Sequence, residues 1–378
     1  MKTVIARYSE IGSKSGQVRS KMHQVLRERV NNRLKHEGID FEKVSTSRGR
    51  IIVENTKAKK AAEHVADTPG IASASPCLKT CSDIDNISET AGKLEVGDTF
   101  GVETNRAGEH SFDSHEVNVE VGSHIEEETG SSVDLDNPDT WLRIDIRQDT
   151  TYVFNQRIEG VGGLPTGVNS DMAALISGGI DSPVAAFEVM RRGSSITPIY
   201  FYNKPIAAED HIMRFEAAVR ELKRYHPSKK WFYIRVDFEE VNQILMNKVE
   251  RGRMVLHRAL MFRVAEELAE EYGLKGIVSG EALGQKSSQT ASNLKLTSRS
   301  LDTPIHRPLL TSDKNKIVER SKRLDTFELS KIDSACRSIS PDNPATNLSR
   351  DDFESLKKRV GFEDLVDNAI SSSEKVRI

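Results

Sequence analysis

The chain has 378 residues, of which 37% are hydrophobic and 29% charged, with a net charge of −3. That length is enough for two or three domains with cores of their own; no apolar run approaches the roughly 18 residues needed to span a bilayer, and the start, MKTVIARYSEIG, lacks the pattern of a secretory signal. The small net charge hides a segregation, +9 over residues 1–60, −15 over 61–150 and +3 over 151–378, so a nucleic-acid surface would be a patch and not a whole face.

In chain order, TVIARY reads as a short strand, and SKSGQVRSKMHQVLRERVNNRLKHEG as a helix with Val18, Met22, Val25, Leu26, Val30 and Leu34 at helical spacing opposite a basic face. EKVSTSRGRIIVEN predicts a hairpin and KAKKAAEHVADTPG a second helix ending near Pro69 and Gly70. This is a small α+β domain over residues 1–75. Residues 76–165 form a second one: GDTFGVETNRAGEHSFDSHEVNVEVGSHI gives a strand, a loop and a helix, and WLRIDIRQDTTYVFNQRIEG gives two strands turning at Gln148. GVGGLPTGVNS, with four glycines, reads as a linker or turn. From residue 171 to the end, AALI, TPIYFY, WFYIRVDF and GIVSG alternate with helical stretches, the pattern of a doubly wound parallel sheet. Ligands of such sheets sit at the carboxyl ends of the strands.

SGGIDS, residues 177–182, follows the first of these strands and opens a helix. Gly178 and Gly179 let backbone N–H groups approach an anion under the positive end of the helix dipole, and Ser177 and Ser182 add hydroxyls. The loop lacks the lysine of GxxxxGK[ST] and the spacing of GxGxxG, so it is neither a Walker A loop nor a dinucleotide fingerprint. Of the three cysteines, Cys77 and Cys81 have three residues between them and no second pair, a poor zinc or iron–sulfur pattern. Three is also too few, and an odd number, for a disulfide framework, which agrees with a reducing compartment and makes the cytoplasm the expected location.

SGGxDS resembles the PP-loop of ATP pyrophosphatases, which split ATP between its α and β phosphates. The likeness continues through VLHRALMFRVAEELA, SGEALGQKSSQTASNLKL, IHRPLLTSDKNKIVERSKRL and DSACRSISPDNPATNL, which in this order resemble the catalytic half of the tRNA 4-thiouridine synthetases (tRNA uracil 4-sulfurtransferases). EIGSKSGQVRSKM, RAGEHSF and RIEGVGGLPTG are similar to that family's ferredoxin-like and THUMP domains, which hold tRNA. The resemblance implies an α/β chain: a ferredoxin-like domain over residues 1–75, a THUMP RNA-binding domain over 76–165, and a PP-loop domain of the adenine nucleotide alpha hydrolase type over 171–378.

It also implies site residues. Leu175, Ile176, Tyr200 and Phe201 at strand ends, with Ser177, Gly178, Gly179, Ser182, Arg258, Gly280 and Gln289, match the nucleotide site. Asp181 would repel phosphate unless a cation intervened, so Mg2+ is expected with ATP. Lys314 matches a lysine at the reacting phosphate, where it would stabilise the leaving pyrophosphate. Cys336 matches the cysteine that carries sulfur as a persulfide; adenylation of uridine O4 would make a leaving group that this sulfur displaces at C4. The modified position in the family is uridine 8. Lys14, Arg19, Lys21 and Arg27, with Arg29 and Arg33 on the same helix and Arg106 in the second domain, are the expected RNA contacts; without the resemblance they read as an ordinary solvated surface.

Two features of longer or archaeal relatives are missing from the expected pattern. No rhodanese segment is expected in the stretch that follows Cys336, and RMVLHRALMFR contains no CxxC pair. The sulfur donor is therefore left open between a cysteine desulfurase and free sulfide, and a thiamine-related role is not expected. The family's habit of pairing makes a homodimer an expectation, with no membrane partner. Two other readings are weighed: another thiolating or amide-forming ATP pyrophosphatase, against which the THUMP-like half speaks, and a non-catalytic tRNA-binding protein, which would need neither SGGIDS nor Cys336.

Overall fold

The computed structural model describes all of the chain except residues 9, 48, 203–208 and 332–343. The chain divides into two units, Met1–Pro165 and Thr166–Ile378.

The first unit contains β1 (Lys2–Arg7), α1 (Gly16–His36), β2 (Lys43–Ser47), β3 (Arg50–Glu54), α2 (Ala58–Ala66), β4 (Ser73–Thr80), α3 (Ile84–Gly92), β5 (Thr99–Arg106), α4 (Ser114–Thr129), β6 (Ser132–Val133), β7 (Thr140–Ile146), β8 (Thr151–Phe154) and β9 (Ile158–Glu159). Its sheet runs β2-β3-β1-β4-β8-β7-β5-β6, with β9 added to β4. Strand β4 crosses residue 75 and pairs antiparallel with β1 on one side and β8 on the other, which makes the sheet continuous. Apolar clusters cover the sheet: Leu26, Val30 and Leu34 of α1 pack with α2 against β1 and β3, α3 and α4 pack against β5, β7 and β8, and Ile5, Ile52, Cys77, Tyr152 and Phe154 form a smaller one. Val18, read as core, is 44% exposed, because only the later turns of α1 reach the sheet. Helix α4 starts on a capping box in which Asp113 accepts from the Glu116 amide and Glu116 accepts from the Asp113 amide.

The second unit contains β10 (Leu164–Leu175), which begins just before the boundary, α5 (Asp181–Met190), β11 (Arg192–Tyr202), α6 (Glu209–Lys223), β12 (Phe232–Asp237), α7 (Glu239–Lys248), α8 (Arg253–Glu271), β13 (Ile277–Val278), α9 (Ala291–Ser298), β14 (Ile305–His306), α10 (Lys314–Arg323), α11 (Arg350–Val360), α12 (Phe362–Ser371) and β15 (Glu374–Arg377). The sheet order is β14-β13-β10-β11-β12-β15. The pairs β10–β13, β11–β12 and β13–β14 are parallel, and β15 closes the edge antiparallel to β12. Helices α7, α8 and α12 share one core with the sheet, while α5 packs with α6 and α10. This is the expected doubly wound sheet with an added antiparallel edge. GVGGLPTGVNS is not simply a linker: Leu164, Pro165 and Thr166 are buried at the start of β10, and the Thr166 hydroxyl lies 3.0 Å from the Met190 carbonyl, so burial overrides the glycine content.

Candidate active site

From β10 the chain steps outward to β11 and β12, then returns through α7 and α8 to β13 on the other side of β10. The carboxyl ends of β10 and β13 therefore flank the point where strand order reverses, which is where open α/β sheets bind ligands. Both glycine-bearing segments of the sequence, SGGIDS and SGEALG, leave the sheet there.

The SGGIDS loop is held by its own serines. The Ser177 amide donates to Ser182 Oγ at 2.8 Å, Ser182 Oγ donates to the Ser177 carbonyl at 3.2 Å, and the Gly179 amide donates to Ser177 Oγ at 3.3 Å. The bend ends on the first turn of α5, whose leading amides have no helical acceptor and carry the positive end of the dipole. Gly280 lies against that turn. A Cβ on it would fall 2.8 Å from the Ser182 nitrogen and 3.0 Å from the Asp181 carbonyl carbon, so only glycine fits. A Cβ on Gly178 would meet the side chain of Arg214, a buried residue of α6, at 3.3 Å.

Asp181 and Lys314 come together although 133 residues separate them in sequence, with Lys314 Nζ 2.6 Å from Asp181 Oδ1. Further along the same helices Arg320 of α10 pairs with Glu188 of α5, and Arg191 adds a 2.7 Å contact to that carboxylate. Two ion pairs thus tie α10 to α5. Leu175 and Ile176 are buried, and the Ile176 amide donates to the Ile199 carbonyl. Tyr200 stacks on Phe215 with ring centres 4.4 Å apart, and Phe201 meets Phe238 edge-on. These side chains serve the core, so the strand ends offer a ligand their backbone groups.

Beyond Gly280 the chain buries Glu281 completely. Arg307 Nε donates to Glu281 Oε2 at 2.7 Å, and Arg258 Nε lies 3.7 Å from Oε1. Gln289 is buried, and its Oε1 has no hydrogen-bond partner among the described residues. His257, beside Arg258, is pushed down to about 3 by burial and then by the Arg258 charge, and it stays neutral. The sequence reading missed Glu281, Arg307 and Arg214; the first two lie inside quoted motifs, and only their pairing sets them apart. Cys336 lies outside the described residues.

In the first unit Lys14, Arg19, Lys21 and Arg27 are exposed, whereas Arg33 is buried and paired with Glu37 at 3.1 Å. Arg106 is half-buried, its Nη1 3.4 Å from both the Gly108 carbonyl and His110 Nδ1. A second set of cations, unseen in the sequence, gathers on and beside the strands: Arg50 and Arg147 pair with buried Asp145, Arg7 bonds Ser75, and Arg157 bonds Ser73. Burial, then Arg157 and Arg50, pushes Arg7 down to about 10. Burial pushes the Cys77 thiol up to about 12, far from a reactive thiolate. Among the described residues no group of three or more metal-binding side chains occurs, and no helix is long and apolar enough to cross a membrane.

Residues 3–75 match the ThiI ferredoxin-like domain, residues 81–155 the THUMP domain, and residues 167–362 the family described as Thiamine biosynthesis protein (ThiI). The chain is 40% identical over 352 residues to the probable tRNA sulfurtransferase of Halobacterium salinarum, covering 91% of this chain and 90% of that one. The chain belongs to the tRNA sulfurtransferase family. The probable tRNA sulfurtransferase of Thermococcus kodakarensis is 35% identical over 367 residues, 93% of this chain and 95% of that one. Among solved structures, a 4-thiouridine synthetase in complex with RNA and bound ATP superposes with a TM-score of 0.87 at 28% identity, covering 100% of both chains. As a tRNA sulfurtransferase, this chain is an enzyme with a ferredoxin-like, THUMP and PP-loop organisation.

Proposed function

We propose that this chain is an ATP-dependent tRNA sulfurtransferase that makes 4-thiouridine, at uridine 8. The observation that carries the reading is the convergence at one switch point of the SGGIDS loop, the SGEALG segment packed on it through Gly280, and Lys314. The site suits ATP: helix-start amides face the loop, Gln289 keeps an unused buried oxygen, and Arg258 has no partner but Glu281 among the described residues. Magnesium fits as well, because it binds through one or two carboxylates plus phosphate oxygens, and Asp181 supplies the carboxylate.

In the first step uridine O4 attacks the α-phosphorus of ATP and pyrophosphate leaves. Lys314 moves from Asp181 to the charge growing on that leaving group. Arg258 and the loop amides hold the phosphates, while the backbone at Leu175, Ile176, Tyr200 and Phe201 reads the base. In the second step the terminal sulfur of a Cys336 persulfide attacks C4 and AMP departs; a thiol supplied in trans then cleaves the S–S bond, releasing 4-thiouridine and leaving a disulfide with Cys336 that an external thiol reductant reopens. The outer sulfur of that persulfide comes from a cysteine desulfurase, which hands it over already at the persulfide level; free sulfide enters only as a direct nucleophile at C4, without Cys336. Lys14, Arg19, Lys21, Arg27 and Arg106 contact tRNA phosphates. We assign these roles to a ferredoxin-like domain over 1–75, a THUMP domain over 76–165 and a PP-loop domain over 171–378, in a cytoplasmic homodimer.

The test is mass spectrometry of nucleosides from tRNA incubated with the protein, ATP, magnesium and sulfide or a desulfurase with cysteine. With the desulfurase, cysteine and a thiol reductant, the wild type should yield 4-thiouridine and Cys336→Ala none. Equal product from both would remove Cys336 from the mechanism, and no product from either with both donors would defeat the proposal.

A further inference from the structure

Glu281 is a fully buried carboxylate facing two guanidinium groups of unequal engagement. Arg307 is firmly held: Nε bonds Glu281 Oε2 at 2.7 Å, Nη2 bonds Ser298 Oγ at 2.9 Å, and its guanidinium carbon lies 5.6 Å from the centre of the Phe262 ring. That contact alone would neutralise the acid. Arg258 nevertheless stands with Nε at 3.7 Å from Oε1, too far for a hydrogen bond and close enough for strong attraction, and Oε1 has no hydrogen bond of its own. Its terminal nitrogens have no partner among the described residues, and its side chain keeps 22% of its exposure.

The trio carries a net charge of +1 in a partly dehydrated place, an arrangement that an incoming anion relieves. Glu281 directly follows Gly280, whose backbone rests on the first turn of α5, so the carboxylate that tethers the excess cation belongs to the segment packed on the anion-binding helix start. We propose that Glu281 is a positioning residue of the nucleotide site: anchored by Arg307, it holds Arg258 in place to meet a phosphate of ATP. This rests on the ATP reading above and adds to it a residue that never touches the nucleotide. A purely structural clamp would need only the Arg307 contact.

The experiment is a double-mutant cycle on ATP binding and on steady-state thiolation. Wild type, Glu281→Gln, Arg258→Ala and the double variant are measured by calorimetry with magnesium and ATP, with a thermal melt of each in the absence of ATP. Glu281→Gln should weaken ATP binding and raise KM for ATP about tenfold, with KM for tRNA unchanged, and in the Arg258→Ala background it should change ATP affinity less than about twofold. Glu281→Asp, which keeps the charge and shortens the reach, should fall between wild type and Glu281→Gln, and it carries the same cycle should the glutamine variant not fold. Effects of Glu281 and Arg258 that multiply independently would overturn the proposal, as would a lowered melting temperature with KM for ATP unmoved. A wild type that binds no ATP would instead overturn the nucleotide-site reading, and this proposal with it.

Discussion

The two units arrange their half-buried arginines in opposite ways. In the second, two guanidinium groups share Glu281 and are graded, one hydrogen-bonded to it and one loosely tethered. In the first, Arg50 and Arg147 crowd onto Asp145 with Arg7 nearby, and burial, Arg157 and Arg50 push Arg7 down to about 10. A carboxylate between unequal partners aims a cation at one point. A carboxylate among crowded ones keeps a cationic sheet face from repelling itself apart. The first arrangement suits one small charged ligand at a strand end, and the second is a matter of fold stability.

That contrast can be broken or sharpened by substitution. The largest effect belongs to Gly280→Ala, whose methyl would strike backbone atoms of Ser182 and Asp181: thiolation kcat/KM should fall about a hundredfold or more. Product formation near the wild-type rate would show that the two segments can part without harm. Next comes Asp145→Asn, which strips Arg50 and Arg147 of their acid; chemical denaturation should show a loss of about 3 kcal/mol, and a loss below half of that would mean the arginines find other partners.

His257 gives a smaller, pH-dependent effect. Its folded value of about 3 lies below its ordinary 6.5, so its neutral form favours the fold fully above pH 6.5. As pH falls through that window the unfolded chain takes up the proton first, and stability is lost by up to about 1.4 kcal/mol per pH unit. Melting curves of wild type and His257→Gln at pH 7 and pH 5 should diverge by about 2 kcal/mol in their pH response; parallel curves would show that the ring is not held neutral. Smallest is Arg27→Gln on the exposed face of α1: the salt slope of tRNA binding should drop by about 1 with a few-fold loss of affinity. An unchanged slope would move the RNA surface off this helix.

Much of the second unit could be read along the chain because its chemistry is contiguous. SGGIDS needs only adjacent residues to form its loop, and alternating strands and helices announce the sheet. What escaped was made by distant parts meeting. Nothing in local spacing links Glu281 with Arg258 and Arg307, or Asp145 with Arg50. The closing strand β15 escaped because EKVR is short and charged, and it becomes a strand only where β12 offers an edge. The glycines of GVGGLPTGVNS signalled a break, yet the burial of Leu164, Pro165 and Thr166 made that stretch a strand. Helix α3, whose cap Asp83 accepts from the Asn86 amide, was missed in a segment too short to show a clear period.

The double tie between α5 and α10 also bears on speed. If a phosphate draws Lys314 away from Asp181, the contact between Glu188 and Arg320 still holds the two helices in place. The exchange then involves one flexible side chain turning on the picosecond-to-nanosecond scale, and not a helix sliding over microseconds or longer. A site built this way is ready when the phosphate arrives.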